Sequence, residues 1–280
     1  MIEILRAGQY TTIQDLGRFG FRKLGVPVSG PMDSSSARFA NQLLGNDMNA
    51  PLLEMTFTGA RLRFDSSAII AIAGADADIQ VGTQRFQSNQ IIPIEANSTL
   101  DIGQIRNGNF LYLAILDGFV ADKKLGSTCL YEPITGYARL NKRQLLHFNP
   151  SLQTNAYRGA IVKRQAIKTI TRLEVLKGPE YHLLSTSEKK IFTKTNFSIS
   201  PVSNRMGFQL TESLPIHLDE IISSPVQPGT VQLTSGGQLI VLMRDAQTTG
   251  GYPRIFQLTE DSINQLSQTK IGDTFRFKLT

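Results

Sequence analysis

The feature that most limits how this chain can fold is a succession of short apolar or alternating runs, punctuated by Gly, Asn, Asp and Pro. Short runs bounded by turn residues predict β-strands, and a chain with many of them folds as a barrel or a sandwich. With 280 residues, 41% of them hydrophobic, the chain is long enough for one large core or two ordinary ones. The predicted strands are Ile2–Leu5, Ala60–Phe64, Ile69–Ala73, Phe110–Leu116, Leu173–Leu176, Val231–Leu233 and Thr274–Leu279.

Helical patterns are few in this sequence. Ser34–Leu44 carries apolar residues at helical spacing, with Asp33 placed to cap its first turn and Gly45 placed to end it. Two more short helices are predicted after Leu183 and after Glu260. The sequence therefore predicts a mainly β fold with a few short helices.

Three pairs of short segments recur in the same order in the two halves of the chain, which indicates an internal duplication. We therefore predict two related domains, residues 1–165 and 166–280, with the polar segment 149–169 either connecting them or belonging to the first domain. The paired segments are Ile2–Gly8 with Leu173–Gly178, Val28–Met32 with Val202–Met206, and Leu100–Gly103 with Lys270–Asp273; the last pair is expected to precede a final strand in each half.

Charge and rare residues exclude several classes of protein. The net charge of +6 is spread along the chain, which favours a mild attraction to anionic ligands over nucleic-acid binding. The single Cys129 excludes an intramolecular disulfide and fits a reducing compartment, and the three isolated histidines give no metal-ligand spacing. No apolar leader or membrane-length run is present, so we expect a cytoplasmic protein without a metal and away from membranes.

The densest polar segment is Arg244–Ile255, R-D-A-Q-T-T-G-G-Y-P-R-I, which directly follows the apolar run Gln238–Met243. It gathers two guanidiniums, a carboxylate, an amide, two hydroxyls and a phenol around a Gly-Gly pair, which permits positive φ or the close approach of a ligand. These groups predict a binding site. The alternative is an ordinary hairpin between two strands, with Arg244 and Asp245 paired on the surface.

The segment Thr11–Asp33, T-T-I-Q-D-L-G-R-F-G-F-R-K-L-G-V-P-V-S-G-P-M-D, resembles the opening of a family with three known branches. They are the 5-oxoprolinase subunit designated C, the allophanate hydrolase subunit 2-like proteins and the carboxyltransferase domain of urea carboxylase. The resemblance covers nearly the whole chain. It continues through Asn49–Glu54, Ala71–Asp76, Val202–Phe208, Val226–Gln232 and Gln247–Arg254.

This resemblance implies two tandem cyclophilin-like β-barrel domains and a protein that works with two sibling subunits, one similar to the A component and one to the B component of 5-oxoprolinase. The three-component enzyme cleaves 5-oxoproline to glutamate with ATP hydrolysis, with Mg²⁺ expected beside the nucleotide. Because the chain lacks a G-x-x-x-x-G-K-[ST] run, a nucleotide would bind by other means or lie mainly at a partner interface.

The implied chemistry assigns roles to the charged residues. A lactam that carries a carboxylate needs cations for its own charge and for the developing phosphoryl charge. Arg244, Arg254 and Arg205 are candidates, since a guanidinium holds planar oxyanions with two hydrogen bonds. Asp245 would orient an arginine or accept from the amide, and Gln247 would donate to the lactam oxygen.

The remaining candidates would bind the substrate. In the second half, Asn204 and Thr248 would donate hydrogen bonds, Tyr252 would stack on a flat ring, and Gly250 and Gly251 would let the backbone approach it. In the first half the candidates are Gln14, Asp15, Arg18 and Ser29, whose alternative role is loop architecture, with Asp15 bonding local amides.

Three functions remain open from the sequence. The first is a subunit of an ATP-dependent 5-oxoprolinase acting on a small amide substrate. The second is a carboxyltransferase for urea or a similar amide, which would need a biotin-bearing partner. The third is a regulatory binding protein paired with a sibling that inhibits a histidine kinase.

Overall fold

The computed structural model describes residues 1–149, 167 and 170–280, and divides them into two compact units. The N-terminal unit is formed by residues 1–18, 29–149 and 167, and the C-terminal unit by residues 19–28 and 170–280. The predicted boundary between residues 165 and 166 lies outside the described residues. None of the helices in the described parts of the chain is long and apolar enough to cross a membrane.

The N-terminal unit consists of two antiparallel sheets and one helix. Its elements are β1 (Ile2–Arg6), β2 (Tyr10–Gln14), α1 (Ser34–Leu43), β3 (Leu52–Thr56), β4 (Arg61–Phe64), β5 (Ala68–Gly74), β6 (Ala77–Val81), β7 (Gln84–Phe86), β8 (Gln90–Ile94), β9 (Thr99–Ile105), β10 (Phe110–Ile115), β11 (Phe119–Val120) and β12 (Leu145–Phe148). The seven-stranded sheet has the order β11-β12-β1-β4-β9-β6-β7, and the five-stranded sheet has the order β2-β3-β10-β5-β8.

The core of this unit lies between the two sheets, because successive side chains of a strand point to opposite faces. Leu53, Met55 and Leu113 from the five-stranded sheet belong to the same buried cluster as Ile2 and Leu62 from the other sheet. The helix α1 contacts the five-stranded sheet at β3, β5 and β10, so both faces of that sheet are covered. This explains why β5 and β10 are buried along their whole length.

The predicted cap of α1 is present. The Asp33 carboxylate accepts hydrogen bonds from the Ser35 and Ser36 amides at 3.1 Å, which satisfies two of the amides that a helix start leaves free. The turn before the helix is anchored to the sheet, where Met32 N donates to Glu54 at 2.7 Å and Asp33 N donates to the Tyr112 hydroxyl at 2.8 Å.

The C-terminal unit has a seven-stranded sheet of order β14-β21-β13-β20-β17-β18-β15 and a two-stranded ribbon, β16-β19. Its strand pairs are antiparallel apart from β13 with β21, which are parallel. Its elements are β13 (Arg172–Lys177), α2 (Thr186–Lys194), β14 (Phe197–Ser198), β15 (Gly207–Ser213), β16 (Ser224–Pro225), β17 (Thr230–Leu233), β18 (Gln238–Leu242), β19 (Thr249–Gly250), β20 (Arg254–Leu258), α3 (Glu260–Gln268) and β21 (Thr274–Leu279), with 3-10 turns at Arg22–Leu24 and Pro179–Leu183.

Aromatic side chains fill much of the core of the C-terminal unit. Phe256 lies 5.3 Å from Phe192 and 5.4 Å from Phe277, measured between ring centroids, and Phe197 lies 5.1 Å from Phe277. Pairs at this spacing stabilise a core by about 0.5–1.5 kcal/mol beyond the area that they bury. The cluster therefore joins β14, β20 and β21 to α2.

The predicted mainly β fold with a few short helices is confirmed, and so are the three predicted helices. One part of the proposed repeat is wrong. Leu100–Gly103 lies inside β9, whereas Lys270–Asp273 is the turn before β21, so the two segments do not occupy equivalent positions. Both contain Gly, Asp and Ile, and four residues of that composition fit a strand as well as a turn.

Candidate functional site

The segment Arg244–Ile255 is not a hairpin, since β17 lies between β18 and β20 in the sheet. The chain instead leaves β18, forms the short β19 against β16, and returns as β20. Both Gly250 and Gly251 have ordinary backbone conformations, without a positive φ. Gly250 allows Gln232 to approach the backbone closely, because a Cβ there would lie 2.5 Å from Gln232 Nε2 and the side chain would have to shift.

A cleft of about 330 Å³ opens beside this segment, within the C-terminal unit. Its floor is a row of side chains from three neighbouring strands, since Ile240 of β18 lies opposite both Gln232 of β17 and Gln209 of β15. The cleft is lined by Val202, Asn204, Met206, Gly207, Gln209, Gln232, Ile240, Leu242, Gln247, Gly250, Gly251 and Tyr252. Its polar side chains are thus four primary amides and a phenol, and none of its lining residues is ionisable apart from Tyr252.

Gln232 is more deeply buried than the other cleft amides. The residue is 1% exposed, and its Nε2 donates to the Tyr252 carbonyl at 3.3 Å. The strand register between β17 and β20 shifts at Val231 and Gln232, which marks an irregularity of the kind that often re-aims a side chain next to a site.

Arg205 and Asp245 form a buried ion pair next to the cleft. Arg205 Nε and Nη2 donate to the two carboxylate oxygens of Asp245 at 2.7 and 3.1 Å, and each side chain is 9% exposed. Asp245 N also donates to the Arg205 carbonyl at 2.9 Å. The pair therefore fastens the start of the polar segment to the segment that carries Asn204 and Met206.

Arg244 and Arg254 are also engaged by carboxylates of this unit. Arg244 donates to Glu260 at 2.7 and 3.2 Å and to Asn264 at 3.0 Å, at the start of α3. Arg254 donates to Glu180 through Nε and Nη2 at 2.9 and 2.8 Å, and these hydrogen bonds hold the pKa of Glu180 below its usual range. Both guanidiniums thereby position the two ends of the polar segment.

Of the predicted residues in this half, the structure brings Asn204, Gln247, Gly250, Gly251 and Tyr252 together in the cleft. Thr248 lies next to Gln247, and its carbonyl accepts from Val226 N at 3.1 Å. Direct chemistry by Arg244, Asp245, Gln247 and Arg254, and substrate contact by Arg205, stay predictions.

In the N-terminal unit, Asp15 is surrounded by donors. Its carboxylate accepts from Gly17 N at 2.9 Å, Ser127 Oγ at 2.6 Å, Thr128 N at 2.7 Å and Cys129 Sγ at 3.1 Å. Asp15 is 3% exposed. These contacts tie the end of β2 to residues 127–129, as the loop-architecture alternative predicts.

Gln14, Arg18 and Ser29 each bury one polar atom that finds no partner among the described residues: Gln14 Oε1, Arg18 Nη1 and Ser29 Oγ. Arg18 is otherwise held by the Lys124 and Cys129 carbonyls at 2.9 and 2.8 Å. The three residues are as buried as core residues, so substrate contact at these positions stays a prediction.

Cys129 has the environment of a structural thiol. Burial, with the Asp15 charge adding to it, raises the pKa of the Cys129 thiol to about 12. A thiol with so high a pKa supplies almost no thiolate near neutral pH, and the thiolate is the nucleophile. Nucleophilic catalysis by Cys129 is therefore not supported.

Neither a metal nor a nucleoside triphosphate fits the cleft well. Among the residues that the structure describes, no group of three or more His, Cys, Asp or Glu side chains is placed to hold a metal ion. The arginines next to the cleft already bind carboxylates, whereas a triphosphate needs several cations or backbone amides directed at it. The cleft better suits a small neutral group.

Sequence reasoning missed Gln232, Gln209, Glu180 and Glu260. Gln232 ends the motif Val226–Gln232 and lies within the short apolar run that predicts β17. A polar residue in both the motif and the predicted strand was the signal that could have identified it. The partners of the arginines lie 16 to 74 residues away along the chain, so nothing local could reveal them.

Residues 24–279 match the family model described as carboxyltransferase domain, subdomain A and B. The chain is 35% identical to the 5-oxoprolinase subunit designated C of Escherichia coli (strain K12), over 99% of this chain and 90% of that protein. It is 30% identical to the protein of the same name from Haemophilus influenzae, over 99% of this chain and 91% of that protein.

The likeness extends to solved structures of longer enzymes. The structure of Kluyveromyces lactis urea carboxylase superposes with a TM-score of 0.87 at 26% identity, over 99% of this chain and 27% of the longer enzyme. The predicted resemblance is thus confirmed by sequence and by structure. The chain belongs to the carboxyltransferase domain, subdomain A and B, family.

Proposed function

We propose that this chain is the C component of an ATP-dependent 5-oxoprolinase, which opens the lactam of 5-oxoproline to give glutamate. It acts in the cytoplasm with two sibling subunits, one similar to the A component and one to the B component of that enzyme. The proposal is supported by two 5-oxoprolinase subunits that match this chain over nine-tenths of their own length.

The single observation that carries the proposal at the level of the site is the amide-lined cleft of the C-terminal unit. The lactam ring of 5-oxoproline presents one carbonyl acceptor, one N–H donor and a flat surface. Because the cleft lining includes no cation, the carboxylate of 5-oxoproline points out of the cleft in this proposal, toward the sibling subunits. Primary amides supply both donors and acceptors without charge, and a phenol ring offers a surface for a flat ligand. In this proposal Gln247 and Asn204 donate to the lactam oxygen, and Tyr252 covers the ring.

ATP and Mg²⁺ are placed mainly on the sibling subunits in this proposal. The reason is the absence of a Walker A run in the sequence, together with the ion pairs that already occupy Arg205, Arg244 and Arg254. The nucleotide would supply activation of the amide oxygen, this chain binds and orients the lactam, and water from the open side of the cleft supplies the oxygen of the new carboxylate.

The test is reconstitution. The two sibling subunits are assayed for glutamate release from 5-oxoproline and ATP with this chain present or omitted. We expect activity only when it is present. Tyr252→Ala should lower kcat/KM by about tenfold or more, because it removes an aromatic surface worth about 1.5 kcal/mol or more. The matched control is Tyr137→Ala, since Tyr137 is an exposed tyrosine of the N-terminal unit. Full activity without this chain contradicts the proposal.

Contact with a sibling subunit is expected at the mouth of the cleft, where exposed apolar side chains gather. Val202 is 70% and Met206 47% exposed, and both line the cleft. Ile222 is 92% exposed, and its neighbour Ile221 donates from its amide to the Gly251 carbonyl at 2.8 Å. Apolar groups exposed together often mark a protein interface.

Val202→Asp and Ile222→Asp should each weaken binding of the sibling subunits by about tenfold or more, because a charge replaces an apolar contact. Titration calorimetry or size-exclusion chromatography of the mixture measures the change. Ile271→Asp serves as the control, since Ile271 is exposed in the turn before β21. Unchanged affinity in both rim variants would place the interface elsewhere.

A second function is favoured by the family description itself. A carboxyltransferase acting on urea or a related amide would use the same uncharged cleft, with the carboxyl group delivered on the biotin of a partner. It predicts amide-dependent turnover that avidin abolishes and that 5-oxoproline does not support. Avidin-insensitive glutamate release separates the two functions.

A further inference from the structure

Gln232 is the one buried polar side chain among the described residues that line the cleft, and only half of its amide is used within the protein. Its Nε2 donates to the Tyr252 carbonyl, whereas no described residue donates to its Oε1. The side chain is oriented by that hydrogen bond and by its close approach to Gly250, where the missing Cβ leaves room for Nε2. The cleft therefore contains a buried and oriented acceptor.

The charges around this acceptor are already balanced. Asp245, the carboxylate nearest in sequence to the cleft residue Gln247, receives two hydrogen bonds from Arg205, and Glu180 receives those of Arg254. A neutral acceptor in such surroundings is best matched by a neutral N–H donor, since a cation would lose hydration without meeting an opposite charge.

We infer that Gln232 Oε1 accepts a hydrogen bond from the N–H of the bound amide and thereby selects ligands whose amide nitrogen carries a hydrogen. This inference rests on the proposed function, because it assumes that the cleft is where the lactam binds. It assigns to Gln232 the acceptor role that sequence reasoning gave to Asp245. An N-substituted lactam would leave Oε1 without a donor and would place an alkyl group against it.

A site that hydrogen-bonds a group on its ligand discriminates strongly against analogues lacking that group. We therefore expect the reconstituted enzyme to use 5-oxoproline at least about a hundredfold better, in kcat/KM, than N-methyl-5-oxoproline. Gln232→Met keeps the size of the side chain and removes both polar atoms. It should lower kcat/KM for 5-oxoproline by about tenfold to a hundredfold and reduce the discrimination between the two substrates to less than about tenfold.

Two further variants separate this role from a structural one. Gln232→Glu retains an acceptor and should keep the discrimination even if its overall activity falls. Gln265→Met makes the same change on an exposed face of α3 and should behave like the parent chain. If Gln232→Met loses activity but keeps the full discrimination, Gln232 only supports the fold and the inference is wrong, while the proposed function stands.

A binding measurement decides the matter even if the reconstituted mixture is inactive. 2-Pyrrolidinone and N-methyl-2-pyrrolidinone are titrated into the folded chain and followed by NMR at the Gln232 side-chain amide. We expect 2-pyrrolidinone to bind at least about tenfold more tightly. Equal affinities, or no perturbation at Gln232 by either probe, would overturn the inference.

Discussion

Replacing Asp245 with alanine is expected to destabilise the C-terminal unit by about 3–5 kcal/mol, because it leaves the buried Arg205 guanidinium without its carboxylate. Removing one member of a buried pair costs far more than the pair itself contributes, since the remaining charge cannot be rehydrated. The change also frees the Arg205 donors that now reach Asp245 at 2.7 and 3.1 Å. The free energies of unfolding of the variant and of the parent chain, measured in urea by near-UV circular dichroism, give the loss.

The matched control is an exposed ion pair in the same unit. Lys278 donates to Glu174 at 2.9 Å, and both side chains are about half exposed, so Lys278→Ala should change the free energy of unfolding by no more than about 1 kcal/mol. If Asp245→Ala were as stable as Lys278→Ala but inactive, Asp245 would belong to the chemistry after all. The experiment thus distinguishes a supporting carboxylate from a catalytic one.

Whether the arginines are available to a ligand could not be predicted from the sequence. A run with Arg244 and Arg254 around Gly-Gly predicts a binding segment, because polar groups and glycines at a strand end are local features. Whether a guanidinium is available to a ligand depends on what folds next to it. Glu180 lies 74 residues before Arg254, and no pattern in the sequence pairs them.

The fold was more accessible to prediction than the site. Alternation and turn residues locate strands such as β4 and β21 to within a residue or two, because burial of one face acts over short stretches of chain. The assignment of residues 19–28 to the C-terminal unit had no such signal. That segment contains no long apolar run, and its packing depends on contacts such as that of Arg22 with the Val226 carbonyl.

Two sets of residues in and around the polar segment Arg244–Ile255 have different roles. The arginines hold its backbone in place, and other side chains line the cleft. Arg205, Arg244 and Arg254 fix its backbone by charge-assisted hydrogen bonds, which are the stronger kind. Gln247 and Tyr252 then face the cleft from a backbone that has few ways to move. Binding geometry is best held by residues that are themselves locked, which explains why so much charge surrounds an uncharged cleft.

Asp15→Asn is expected to destabilise the N-terminal unit by about 3 kcal/mol or more. The change removes a charge that accepts from Gly17 N, Ser127 Oγ and Thr128 N, and it turns an NH₂ group toward at least one of these donors. Hydrogen bonds to a charged group contribute about 1.5–3 kcal/mol each, and a buried donor left without a partner adds its own cost. Chemical denaturation of the variant, followed by near-UV circular dichroism, measures the effect.

Asp122→Asn is the control, because Asp122 is exposed in the same part of the chain and its replacement should alter stability by less than about 0.5 kcal/mol. The comparison also bears on the binding role predicted for Asp15. A structural carboxylate must lower stability when it is replaced, and activity then falls only as the folded fraction falls. A variant as stable as the parent chain but inactive would instead indicate that Asp15, with its neighbours Gln14 and Arg18, contacts the substrate.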